Sequence, residues 1–129
     1  MPTKKTDINK TNLEAVPSIS IVVPLLNEEN SLEELTKTIY TALNEYSFEL
    51  IFVDDGSDDA SWEKIISLNN SYEHVKGIRF RRNRGKSDAL QAGFDVAKGQ
   101  YIVTMDADLQ DDPQEIPALI KMLEEGADL

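Results

Sequence analysis

The chain has 129 residues, no cysteine, 24 acidic and 13 basic residues, and a formal net charge of -11. This length allows one domain with a real core, the missing cysteines exclude a disulfide scaffold and thiolate metal sites, and the acidic excess argues against nucleic acid as a partner. The total charge names no function, so the placement of the acids matters more than their number.

Residues 1–17 carry Lys4, Lys5 and Lys10 without an apolar stretch, and read as a flexible polar arm rather than a secretory signal. The β-branched run Ile19-Ser20-Ile21-Val22-Val23, stopped by Pro24, predicts a buried strand. The longest apolar run, Ile19 to Leu26, is broken by Ser20 and Pro24 and is far shorter than the about 20 residues of a membrane-spanning helix. Ser31 and Glu34 have capping-box spacing. Leu32, Leu35, Ile39, Leu43 and Tyr46 then mark one face of a helix. A second strand is expected over Phe48 to Val53, ended by Asp54-Asp55-Gly56-Ser57, and a second helix around Trp62, Ile65 and Ile66. A third strand follows over Val75 to Phe80, then a helix carrying Ala89, Leu90, Gly93, Phe94 and Ala97, closed by Gly99. Tyr101 to Met105 reads as a fourth strand and Pro117 to Leu123 as a fourth helix, and a fifth strand is expected to start at Gly126.

Strands alternating with helices imply parallel βαβ units with right-handed crossovers. The expected fold is therefore α/β, a Rossmann-like parallel sheet with helices on both faces. Such sheets bind ligands at the carboxyl ends of their strands. Eight acids cluster there: Asp54, Asp55, Asp58 and Asp59 after the second strand, and Asp106, Asp108, Asp111 and Asp112 after the fourth. Like charges gathered on one edge call for a compensating cation, although aspartate also ends strands and starts helices for ordinary reasons. Asp55, Asp106 and Asp108 sit at the strand ends and are the functional candidates, whereas Asp58, Asp59, Asp111 and Asp112 read as caps. Asp106-Ala107-Asp108 places two carboxylates where they can bracket a hard divalent ion such as magnesium or manganese.

Several alternatives fail on spacing. An EF-hand needs glycine where Asp111 stands and glutamate where Pro117 stands. Gly85-Lys86-Ser87 lacks the earlier glycine of a P-loop, that position being Phe80, and no Gly-x-Gly-x-x-Gly occurs. A receiver domain needs an acid pair after the first strand, where this chain has Pro24-Leu25-Leu26-Asn27. His74, the one histidine, reads as a surface residue. The basic cluster Arg79, Arg81, Arg82, Arg84 and Lys86 is either a solvated strand edge or a contact for the phosphates of a substrate or a membrane surface, with Arg84 and Lys86 the best placed.

Four stretches in this order resemble the family 2 glycosyltransferases of GT-A fold, and most closely the branch that makes polyprenyl-phosphate sugars. They are Val23 to Glu29, Val53 to Asp59, Asn83 to Lys86 with Ala89, Leu90 and Gly93, and Met105 to Pro113. The resemblance spans residues 18–129, which it marks as a nucleotide-sugar-binding α/β domain. It implies a metal-assisted, inverting transfer from a UDP- or GDP-linked sugar to a polyprenyl phosphate. Transfer to a growing glycan is the near alternative, and a non-catalytic nucleotide-binding fragment is the alternative of another class. It places Pro24 and Glu28 against the nucleoside, Val53 and Asp55 at the base, and Asp106, Ala107, Asp108 and Gln110 around the ribose and diphosphate. Asp106 and Asp108 are the implied catalytic pair, with Mg2+ or Mn2+ held chiefly through Asp108. Leu26 and Lys86 complete the implied donor site, Leu26 standing where the family often has tyrosine. The resemblance further implies that the acceptor-binding half and membrane anchors lie beyond Leu129, and that the whole protein works in the cytoplasm or at the cytoplasmic face of a membrane.

Overall fold

The computed structural model describes residues 16–126. The arm expected over residues 1–17 falls mostly outside the described residues, as does the fifth strand beyond Gly126. The elements are β1 (Ile19–Leu25), α1 (Leu32–Ala42), β2 (Phe48–Asp54), α2 (Ser61–Ser71), β3 (Val75–Arg79), α3 (Lys86–Val96), β4 (Tyr101–Thr104), a 3-10 turn (Pro113–Glu115) and α4 (Ile116–Glu124). All strand pairs are parallel, in the order β3-β2-β1-β4. The order reverses at β1, so the topological switch point lies between the carboxyl ends of β1 and β4.

β1 and β2 are central and covered on both faces, which is why they are nearly continuous apolar runs rather than alternating ones. On one face Ile19, Ile21, Val23 and Leu25 meet Leu32, Leu35 and Ile39 of α1, Ile65 and Leu68 of α2, and Ile116 and Ile120 of α4. On the other face Val22, Ile51 and Val53 meet Ala89 of α3 and Phe80, which directly follows β3. Each fully buried leucine or isoleucine contributes about 1.5–3 kcal/mol. Three of them on α1 outweigh the weak helix propensity of Thr36, Thr38 and Thr41, whose hydroxyls donate back to carbonyls one turn earlier.

The amino-terminal edge of the sheet is held by a buried carboxylate. Glu49 accepts from Ser20 Oγ at 2.6 Å, from the Lys98 backbone N–H at 2.7 Å and from Lys76 Nζ at 2.6 Å. Burial pushes its carboxyl up, but the bonds from Lys76, Ser20 and Lys98 outweigh that and hold it below the usual glutamate range. In the same network Gly99 N–H donates to Ser20 Oγ at 2.8 Å.

Four expectations shift. α1 ends at Ala42, ahead of Tyr46. Ser31 stands at the N-cap position, but its hydroxyl makes no cap bond. α3 ends at Val96, so Gly99 does not close it. A Cβ on Gly99 would lie 2.6 Å from the Ser20 backbone nitrogen, so glycine is there to let the turn before β4 lie against β1. β3 and β4 each stop one residue early, yet Phe80 N–H still bonds the Asp54 carbonyl at 2.8 Å and Met105 N–H the Val22 carbonyl at 3.1 Å.

Candidate functional site

Four loops leave the carboxyl ends of the strands, and each grips the next. After β1, Asn27 adopts a left-handed backbone with φ 56°. Its side-chain oxygen accepts from the N–H groups of Asp58 and Asp59 at 3.0 and 3.3 Å in the loop after β2. In that loop Asp55, only 6% exposed, reaches to the loop after β3. Its carboxylate accepts from Arg84 N–H at 2.7 Å, Gly85 N–H at 3.0 Å and Asn83 Nδ2 at 3.0 Å. Gly56, at φ 82°, makes that approach possible, since a Cβ would meet the Arg82 and Asn83 backbones at 2.4 Å. From the start of α3, Lys86 Nζ reaches Asp106 Oδ1 at 2.9 Å after β4. The Ala107 carbonyl accepts from Ser31 Oγ at 2.6 Å, which closes the circuit at the start of α1.

At the switch point this ring encloses a hollow of about 280 Å³, walled by Pro24, Leu26, Asp55, Asn83, Lys86 and Asp106 among others. A smaller one of about 130 Å³ adjoins it, sharing Pro24, Lys86 and Asp106 and adding Thr104, Met105 and Asp111. A third groove of about 360 Å³ runs between β4 and α4, with Val103, Met105, Ile116, Leu119, Asp111 and Glu115 in its walls. Its apolar and acidic lining suits no phosphate.

The hydrogen bond and charge of Asp106 hold Lys86 above the usual lysine range, with smaller contributions from Asp108 and Asp111. An ammonium group therefore already sits where three aspartates concentrate negative potential, and the hard oxygen donors suit magnesium or manganese. Among the described residues no three acidic or imidazole side chains converge on one point. An ion here would complete its shell from phosphate and water, as magnesium commonly does.

The structure brings Pro24, Leu26, Asp55, Lys86 and Asp106 together around one hollow. Asp108 is exposed beside it, its Oδ1 accepting from Gln110 N–H at 3.2 Å. Gln110 lines a different hollow, over Glu34, Leu35 and Thr38 of α1. Glu28 is half-buried and turned toward α2, its N–H donating to Ser61 Oγ at 2.9 Å and its Oε1 accepting from Ser31. Two expected contact residues, Val53 and Ala107, have buried side chains. Val53 is 0% exposed beneath α3, and Ala107 is 2% exposed against α1 and α4, so neither side chain has a surface to offer a ligand. Its place in the sheet explains Val53: a central parallel strand buries both of its faces.

The acids sort as follows. Asp59 accepts from Ser61 N–H at 2.8 Å as α2 begins, and Asp112 caps the 3-10 turn through Gln114 N–H at 2.9 Å. Asp111 is not a cap; it accepts from Asp106 N–H at 3.0 Å and braces the loop that carries Asp106. Asp54 is fully buried and accepts from Ser57 N–H at 2.9 Å. Of the basic cluster, Arg79 lies over Trp62 and Arg84 over Phe80 and beside Asp88, and Lys86 is the member that lines the hollow. His74 is exposed and its N–H donates to the Tyr40 hydroxyl at 2.9 Å. Asn27, Ser31 and Asn83 are positioning residues that sequence reasoning missed. The signal for all three was an uncharged hydrogen-bonding side chain in or beside a strand-end loop.

Residues 20–129 match the family described as Glycosyl transferase family 2. The chain belongs to that family. Among family 2 proteins it is 41% identical over 121 residues to the undecaprenyl-phosphate 4-deoxy-4-formamido-L-arabinose transferase of Photorhabdus laumondii, covering 92% of this chain and 37% of that one. It is 42% identical over 111 residues to the dolichol-phosphate mannosyltransferase of Pyrococcus furiosus, covering 86% of this chain and 31% of that one. The chain thus spans about a third of the length of these relatives. A mannosyltransferase from Pyrobaculum calidifontis, solved with GDP-Man and Mn2+, superposes with a TM-score of 0.68 at 25% identity, over 79% of this chain and 30% of that one. Glucosyl-3-phosphoglycerate synthase from Mycobacterium tuberculosis, solved with Mn2+, UDP and phosphoglyceric acid, gives 0.68 at 26% identity, over 87% and 40%. The four-stranded parallel sheet with helices on both faces is the α/β architecture of GT-A glycosyltransferases.

Proposed function

We propose that the protein moves a sugar from a UDP- or GDP-linked donor to a polyprenyl phosphate, with inversion at the anomeric carbon, and that residues 18–129 form its donor-binding part. The observation that carries this reading is the hollow at the switch point, where Pro24, Leu26, Asp55, Lys86 and Asp106 converge. The names of the two relatives above support the lipid acceptor, and the neighbours solved with GDP-Man or UDP and Mn2+ support the donor and the ion.

Each residue has a chemical task in this reading. Pro24 and the exposed Leu26 offer apolar surface to the nucleoside. An ionised carboxylate has about four lone-pair sites, and Asp55 uses three of them on the loop after β3, which leaves room for one N–H of a base. Asp106 and Asp108 would hold the divalent ion, with Asp108 the freer of the two. When bound, that ion supplies Lewis-acid stabilisation for the departing nucleoside diphosphate. Lys86 adds a positive charge on the same side of the hollow. A phosphate acceptor is already anionic, so the site needs no general base for in-line attack, and none of these side chains has to supply one. With a lipid acceptor the whole protein would work at a membrane surface, in this reading the cytoplasmic face.

The test is calorimetric titration of UDP- and GDP-sugars with and without Mn2+, followed by transfer assays on a short-chain polyprenyl phosphate. Metal-dependent binding of one nucleotide sugar and turnover onto the lipid phosphate are expected. Absence of any metal-dependent nucleotide-sugar binding would sink the proposal.

A further inference from the structure

The Lys86–Asp106 bridge differs from the other links around the rim. The grips of Asn27, Asp55 and Ser31 each engage a backbone group of the next loop. The fourth runs between two flexible, exposed side chains, which show 63% and 49% of their surface. Together with Pro24, this pair is the wall common to the two adjoining hollows. Opening it would join them into one space, and an exposed ion pair opens at little cost.

We propose, resting on the donor-site reading above, that Lys86 is a place-holding cation. With no donor bound, its ammonium occupies Asp106 and keeps a lone divalent ion out. When nucleotide and ion arrive together, it swings from Asp106 to the diphosphate. Charge favours the Lys86–Asp106 bridge while no donor is bound and the exchange once a diphosphate arrives with the ion. Among the described residues the aspartates after β4 do not converge as a set of three, so they hold a lone ion only weakly, and such an ion must displace a built-in cation while gaining no phosphate oxygens in return. A diphosphate brings its own negative charge, which offers the lysine a second partner and supplies the ligands the ion lacks. Lysine suits this task, being a compact charge on a flexible four-carbon stem. Its position as the first residue of α3 also keeps it at a helix N-terminus, where phosphate is favoured. Ion and nucleotide should therefore bind with positive coupling, each raising the affinity for the other by the same factor.

The test compares the unaltered protein with Lys86→Gln and Lys86→Arg. Mn2+ alone is titrated by the electron spin resonance of the free ion, and UDP and GDP are titrated by calorimetry with and without Mn2+. Lys86 is exposed and makes no core contact, so both variants should fold, which circular dichroism checks. Lys86→Gln should bind Mn2+ alone more tightly, on the order of two- to fivefold, the range expected for freeing one member of an exposed ion pair. It should bind nucleotide diphosphate alone more weakly, and the coupling between the two should shrink. Lys86→Arg should restore the exclusion of Mn2+, which a merely structural role would not predict. If Lys86→Gln binds Mn2+ alone no more tightly, while UDP or GDP still binds with Mn2+, the place-holding role is overturned and the donor site stands. If the unaltered protein binds neither nucleotide with Mn2+, the donor-site reading falls and takes the diphosphate half of this proposal with it.

Discussion

Asp55→Asn isolates the largest single grip on the rim. The carboxylate accepts three hydrogen bonds, two of them from the backbone N–H groups of Arg84 and Gly85. An asparagine keeps one acceptor oxygen, which can stay on Arg84. Asn83 can rotate its own amide to present an acceptor only by giving up its 3.3 Å bond to the Asp55 carbonyl, and Gly85 N–H has only a donor to give and would face the new NH2 group. A hydrogen bond to a charged group is worth about 1.5–3 kcal/mol. With one such bond lost and the others reduced to neutral strength, the cost is about 2–3 kcal/mol. For a chain of this size that lowers the Tm by about 10 °C. Urea unfolding gives the free energy, and hydrogen exchange at Arg84 and Gly85 shows whether the loss is local. A destabilisation below about 0.5 kcal/mol, the range of an ordinary surface change, with unchanged exchange at those two amides, would refute the view that Asp55 holds the loop after β3.

Asp108→Asn should lower sugar transfer by about tenfold or more while leaving the fold intact, because the side chain is exposed and an ion would lose ligand charge. Asp59→Asn, at the start of α2, should cost up to about 1 kcal/mol of stability and far less activity. Equal losses of transfer in the two variants would undo that division of the acids. Gly99→Ala pushes a methyl to 2.6 Å from the Ser20 nitrogen and should destabilise by about 1–3 kcal/mol; an unshifted urea midpoint would count against the close approach. Glu49 has a folded pKa held below its unfolded value, so its stabilising contribution is full above the usual glutamate range and fades as pH falls through the lowered folded value. The stability gap between the unaltered protein and Glu49→Gln should therefore narrow on acidification, and a gap independent of pH would argue against an ionised Glu49.

Much of this was legible in the sequence because periodicity reports packing. Ile19 to Val23 and Phe48 to Val53 are apolar but for Ser20 and Glu49, and a nearly continuous apolar run is the mark of strands buried on both faces. The strand-end placement of Asp55, Lys86 and Asp106 follows from the same pattern, and they do share one hollow. Direction within the rim was not legible. A motif places Val53 and Ala107 near a ligand, but which way each side chain points depends on pleat and loop conformation, and both point into the core. Ser31 has the sequence spacing of a cap, yet its hydroxyl is turned to donate to the Ala107 carbonyl at 2.6 Å rather than to accept from the first turn of α1. Asp111 is the same case: it braces Asp106 across five residues rather than capping the turn that follows.

Mechanically, the rim is a split ring. Three of its joints are stiff, because each engages a neighbour's main chain and cannot yield without moving a loop. The fourth is a clasp of two side chains open to water. Compliance is thus concentrated at one place, and the sheet beneath need not deform for the ring to widen. A binding site built this way can stay rigid enough to discriminate between ligands while opening at the cost of one solvated contact.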